Sequence, residues 1–430
     1  MKNEILNFNK ENFIDKISLI FISIFPVILL TGSAIVNTSI VLMNILFLIH
    51  IYKKKKFKVF NNDVFYLLFA LWTFFIINTL LNDNISENYA RAFGFIRFIL
   101  LVFLISYFFS YKDFLYKKAI INVWTLIFII VSLDLVFEIF FGHNTLGFSS
   151  SYRGRLSGFM GDELKIGHWY FCFSLIILTN FIKKNKRFCL LLLISIIISF
   201  FIGERANFIR LFLALFILVI FTQLFSFKKI AILTFSFFVI VFYLTTDSAE
   251  KIVGNTLSPQ VITYKNKFID NIKASLTFET IDELNEKNPY TPMYFNAYYI
   301  YKDNKLLGVG MGSYMEKSHE KLRKNRKTRA INGNLIVANT HPHQHHFEIL
   351  ATLGLPGYIF IFSFLLYYFY KSLRFYKKNK EPINLTSFIF LFVLIIPLLP
   401  TGSFFTTYGA SIFWLNFSLM NLGNFKNINH

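Results

Sequence analysis

Residues 119–141 read AIINVWTLIFIIVSLDLVFEIFF, a run in which Asp134 and Glu138 are the only charged side chains. A helix over it carries apolar side chains on every face, and its length of about 34 Å exceeds the hydrocarbon core of a bilayer, so the run predicts a membrane-spanning helix. Similar runs can be drawn before it at 17–32, 35–52, 64–81 and 92–110. Others follow at 166–182, 188–203, 206–225, 230–245, 346–370, 385–399 and 404–422. About twelve spans make an all-α polytopic membrane protein the expected fold.

Composition agrees with that expectation. Of 430 residues, 55% are hydrophobic, 57 are phenylalanine and only 16% are charged, against roughly a quarter in a soluble domain. A soluble core has no room for so much apolar side chain, which excludes a secreted or cytosolic enzyme. Cys172 and Cys189 both fall in apolar runs and offer neither a disulfide framework nor a cysteine-rich metal site. No cleavable signal is read, because residues 1–16 are polar and mixed in charge and the next run reads as a first span.

The net charge of +20 must be sorted by side of the membrane. Every second connection carries clustered lysine or arginine, at 53–58, 112–118, 183–187, 228–229 and 371–380. The positive-inside rule makes these loops and both termini cytoplasmic. One connection is long: 246–345 reads as a polar subdomain on the outer side of the membrane, between membrane portions 1–245 and 346–430. Within it, 321–329 (KLRKNRKTR) holds six basic residues, expected to be a solvated face, with attraction to anionic membrane lipids as the alternative. Because that run faces outward, nucleic acid is not an expected partner.

Four of the nine histidines fall in THPHQHHFE, residues 340–348, where the long loop re-enters the membrane. A hydrated helix start is one reading and a histidine-rich metal tract another, the latter weakened by the lack of cysteine or clustered carboxylates nearby. The third is a general base, since imidazole accepts a proton near neutral pH and could deprotonate a sugar hydroxyl. GERANFIR, 203–210, puts Arg205 at a loop surface and Arg210 about one turn into the membrane. Such charges face a cavity or a partner; alternatively, Glu204 and Arg205 neutralise one another. YRGRLSGF, 152–159, adds Arg153 and Arg155 in another loop on that side. Guanidinium groups from separate loops could converge on a diphosphate, or Arg153 and Arg155 could belong to a solvated loop.

Asp134 and Glu138 share a helix face and are expected either to line a cavity or, the more economical reading, to pair with Arg97. There is no GxxxxGK[ST] and no HExxH, so ATP-driven transport and zinc-protease chemistry lack their signatures.

The order of these features resembles the bacterial O-antigen ligase and O-antigen polymerase superfamily. The resemblance rests on the spans, the turn 203–206 (GERA), the long loop with 308–312 (GVGMG), and HPHQ at 341–344 followed by LGLPG at 353–357. It implies a GT-C-like fold and an inverting, metal-independent glycosyltransferase that uses no cofactor. The donor would be an undecaprenyl-diphosphate-linked glycan, and the acceptor lipid A-core in a ligase or a second lipid-linked glycan in a polymerase. On this sequence the resemblance makes His343 the preferred base, with His341 as its alternative or orienting neighbour. Arg205 becomes the preferred diphosphate clamp, with Arg210, Arg155 and Arg153 as further candidates. Gln344 departs from the asparagine more usual in the family, and His345 and His346 add neighbouring imidazoles. A lipid-linked saccharide flippase would be expected to show internal repeats, and no convincing repeat is found. A scaffold whose outer loop only recruits partners is the third alternative.

Overall fold

The structure is a computed structural model that describes residues 13–82, 86–110, 114–151, 155–163, 165–182, 185–222, 290–326, 329–397 and 399–426. The expected ninth span at 230–245, Arg153, and the basic residues Lys112, Lys183, Lys184, Lys228 and Lys229 lie outside the described residues.

The principal helices are α1 Phe13–Ser23, α2 Ser33–Lys54, α3 Asp63–Leu80, α4 Ile96–Ser110, α5 Phe114–Phe141, α6 Ile166–Leu178, α7 Asn185–Ile202 and α8 Arg205–Thr222. After them come α9 Thr291–Asp303, α10 Tyr314–Lys324, α11 His345–Asn379, α12 Pro382–Leu394 and α13 Thr407–Met420. Residues of β1, Ala330–Ile331, pair antiparallel with those of β2, Asn334–Leu335. Among the described residues six helical stretches are long and apolar enough to cross a bilayer: Ser33–Lys54, Asp63–Leu80, Tyr89–Ser110, Tyr116–Phe141, Arg205–Thr222 and His345–Asn379. Shorter apolar helices cover Ile166–Leu178, Arg187–Ile202 and Pro382–Leu394. The chain is a mostly helical, polytopic membrane protein.

The α5 helix shows why its sequence is apolar all round. Trp124, Phe128, Val131, Leu135 and Ile139, at helical spacing, are buried, while Leu126, Ile130, Leu133 and Phe140 on the other face are exposed. An exposed face that stays apolar is a lipid-facing one. The Trp124 indole also repairs a break elsewhere: Pro26 has no N–H to give the Ile22 carbonyl, and Trp124 Nε1 donates to it instead at 2.9 Å. Trp169 Nε1 donates to the Pro26 carbonyl at 2.8 Å.

Ion pairs link the ends of several helices at one end of the bundle. Lys54 meets Asp15 at 3.0 Å, Lys371 pairs with Asp63 and Lys117 with Glu381. At the opposite end, α11 is kinked, with Gly354 at φ 69 and Pro356 in the helix. Pro356 cannot serve the Thr352 carbonyl, and the Leu355 amide donates to Lys305 O, so Ala351 O and Thr352 O are left over. Val309 N and Gly310 N take them, each at 2.9 Å. The two glycine motifs of the sequence are thus one joint, docking the segment after α9 onto α11.

Asp134 and Glu138 do not pair with Arg97. Asp134 accepts from Thr145 N at 2.9 Å and Thr145 Oγ1, and Glu138 from Ser157 N at 2.7 Å and Gly158 N at 2.8 Å. Arg97 donates to Gly94 O and lies 4.4 Å from the Phe98 ring centre. The loop after α5 folds back over its own helix, and its amides reach the carboxylates first. In the basic run, Lys321 pairs with Asp303 and Lys324 with Glu320, whose carboxyl is pulled down to about 2 by Lys324 and Lys317. Lys327 and Thr328 lie outside the described residues.

Candidate active site

Three loops deliver the candidate residues to one place. With Ser157 and Gly158 fixed by Glu138, Leu156 N donates to Ile202 O at 3.1 Å, which lays Arg155 beside the start of α8. Glu204 does not neutralise Arg205: its oxygens accept from Gly167 N at 3.0 Å and Asn207 Nδ2 at 2.6 Å. Burial raises the Glu204 carboxyl above its usual value against those bonds. Arg205 is exposed, and among the described residues the guanidinium groups of Arg155 and Arg205 have no hydrogen-bond partner.

Gln344 caps α11. Its side-chain oxygen accepts from His346 N at 2.5 Å and Phe347 N at 3.4 Å, and its amide donates to Pro397 O at 2.6 Å. Asparagine is among the usual residues at such a cap, and here the longer glutamine makes the capping bonds. His343 just before it has φ 54, a left-handed conformation unusual for a side chain with a Cβ, and its carbonyl accepts from Thr401 N at 2.7 Å.

The residues so placed line a cavity of about 950 Å³. His341, His343, Arg155, Arg205 and Arg210 all contribute to its wall. Arg210 is buried and donates to Asn207 Oδ1 and to the Leu399 and Pro400 carbonyls. Sequence reasoning missed Arg91, Lys165, Tyr290, Glu348 and Tyr408, which line the same cavity. Glu348 accepts from Ser403 Oγ and from Phe404 N at 2.7 Å, and Lys165 pairs with Glu163 at 2.5 Å while lying 5.4 Å from the Tyr408 ring centre. The only signal for Glu348 was its place one turn beyond Gln344. Arg91 and Lys165 looked like ordinary rim charges.

The four clustered histidines occupy different environments. His346 is tied at both nitrogens, to Tyr358 OH at 2.9 Å and Ile395 O at 2.7 Å. A carbonyl can only accept, so Nε2 carries the proton and Nδ1 accepts from the tyrosine. His345 is buried, its ring 5.6 Å from Phe404 centre to centre. His341 and His343 have ring centres 4.1 Å apart, and the His343 ring meets Tyr290 edge-on at 5.6 Å. Burial, then the charges of His343 and Lys165, push His341 down to about 4. Burial also lowers His343, opposed by hydrogen bonding at the Thr401 backbone and reinforced by the Arg155 charge. Both shifts favour the neutral imidazole near pH 7 and make it a weaker proton acceptor, His341 with its value near 4 most clearly so.

No curated relative matches the chain. Residues 172–362 match the family described as O-antigen ligase, a span that holds the Arg205 turn and the His341–Glu348 segment. That match covers just under half of the chain and supports membership of the O-antigen ligase and O-antigen polymerase superfamily.

Proposed function

We propose that the cavity catalyses transfer of a glycan from undecaprenyl diphosphate to lipid A-core at the periplasmic face of the bacterial inner membrane. The observation that carries this reading is the meeting of neutral His341 and His343 with Arg155 and Arg205 on one cavity wall. In the reaction the acceptor O–H breaks, with its proton passing to His343. The new bond forms from the acceptor oxygen to the anomeric carbon, with inversion, as the bond to the diphosphate oxygen breaks. Arg205 and Arg155 hold the departing diphosphate and stabilise its added charge.

Charge supports the substrate class. The lining carries Arg91, Arg155, Lys165, Arg205 and Arg210 against Glu163, Glu204 and Glu348, an excess of two positive charges that suits a diphosphate diester. Fixed cations take the part a divalent ion would otherwise play at the leaving group, so the reaction is metal-independent. A polymerase would use the same residues with a second lipid-linked glycan as acceptor.

The test is the donor dependence of Arg205→Ala and Arg155→Ala in proteoliposomes. Loss of one charge-assisted contact, worth about 1.5–3 kcal/mol, raises the donor KM roughly tenfold or more. A donor KM unchanged in both variants contradicts the clamp.

A further inference from the structure

The segment 399–406 between α12 and α13 forms part of the cavity wall and contains neither helix nor strand. What fixes it comes from the residues around the histidines. Arg210 Nη2 donates to Leu399 O at 3.0 Å and Pro400 O at 2.6 Å, Thr401 N donates to His343 O at 2.7 Å, and Glu348 holds Ser403 and Phe404 N. Arg210 is 1% exposed, and its Nη1 donates to Asn207 Oδ1 at 3.1 Å. Both of its terminal nitrogens are engaged by the protein itself. Asn207 in turn donates to Glu204, which accepts from Gly167 at the start of α6.

We infer that Arg210 is a positioning residue, which holds the 399–401 backbone so that the Thr401 amide keeps His343 in its left-handed conformation at the cavity wall, and not a diphosphate ligand. Glu348 anchors the other end of the same segment through Ser403 and Phe404. A left-handed histidine persists only where its surroundings over-determine it. Here the determinant is a backbone amide in a segment with no secondary structure of its own. A planar guanidinium fork can serve two carbonyls and a side-chain oxygen together, whereas an ammonium acts as a point charge without that fixed geometry.

The inference rests on His343 being the base of the proposed transfer, and its test has one arm that needs no activity. Amide hydrogen exchange in the full-length protein is expected to accelerate in both 399–406 and 341–344 for Arg210→Gln, and likewise for Ser403→Ala, which cuts the segment's other anchor. Exchange unchanged at 341–344 in both variants overturns the coupling, whether or not the protein transfers glycan to lipid A-core. In the transfer assay, kcat is expected to fall tenfold or more in Arg210→Gln with donor KM within twofold of wild type, and Arg210→Lys is expected not to restore it. A tenfold rise in donor KM in Arg210→Gln, largely recovered by Arg210→Lys, makes Arg210 a diphosphate ligand and overturns the inference. Should Arg210→Gln fail to fold, Ser403→Ala carries the same kcat and exchange expectations. A wild-type protein that transfers nothing, with exchange still coupled, removes the proposed function and leaves the positioning intact.

Discussion

Gly308 and Gly354 close on one another backbone to backbone: a Cβ on Gly308 would stand 2.4 Å from the Thr352 carbonyl carbon, and one on Gly354 would stand 2.3 Å from Leu306 O. Neither neighbour is a side chain that could swing aside, and both glycines have positive φ, at 65 and 69. Gly308→Ala and Gly354→Ala are each expected to cost more than the roughly 1–2 kcal/mol of a left-handed alanine alone. The thermal midpoint of the protein in detergent should fall for both, and an unchanged midpoint in both contradicts the joint.

His343→Asn separates the backbone demand from the chemistry. Asparagine visits the left-handed region more readily than most residues and cannot act as a base at neutral pH. The thermal midpoint is expected to stay close to wild type while kcat falls about 100-fold or more, the usual contribution of a positioned general base. Near-wild-type kcat in this variant would remove His343 from the mechanism.

Acid should loosen the site through His341. Its imidazole is held near 4 in the folded protein against an ordinary 6.5, so between those values the unfolded chain binds a proton that the folded one refuses. Stability from this group is complete above about pH 6.5 and is lost as pH falls toward about 4. Glu204, raised by burial, acts in the opposite direction, so the reading is the difference between wild type and His341→Gln. The variant is expected to show a shallower fall in thermal midpoint between pH 6.5 and 4, and parallel curves would contradict the shift.

Chelation gives a further check. With guanidinium groups supplying the positive charge at the leaving diphosphate, EDTA in excess is expected to leave the transfer rate unchanged. Loss of activity restored by a divalent ion would require a metal in the reaction.

Much of the architecture is legible in the chain because an apolar run has few alternatives: 119–141 lies within a helix apolar on both its buried and its lipid-facing sides. Helix ends are less legible. The expected run 385–399 closes as a helix at Leu394, since Pro397 and Pro400 let the chain leave the helix and form the cavity wall. The expected Arg97 partnership failed because pairing across helices competes with amides of a loop whose return path no periodicity announces. Both glycine motifs were visible, but their meshing depends on carbonyls freed by Pro356 and by the diversion of Leu355, which only the fold brings to Val309 and Gly310. The arginines and histidines could be named from their residue types. Glu348 and Arg91 could not, because a carboxylate in the first turn of a helix and a charge at a helix end are ordinary until a cavity joins them.

The most direct measurement is product formation by purified wild-type protein in liposomes, given a defined undecaprenyl-diphosphate glycan together with lipid A-core and a second lipid-linked glycan. Glycan attached to lipid A-core, absent with His343→Asn, is the expected result. Extension of the second lipid-linked unit instead would keep the chemistry and change the acceptor to that of a polymerase. Transfer to neither acceptor by folded wild-type protein, or full transfer by His343→Asn and Arg205→Ala at equal protein, would contradict glycan transfer at this cavity.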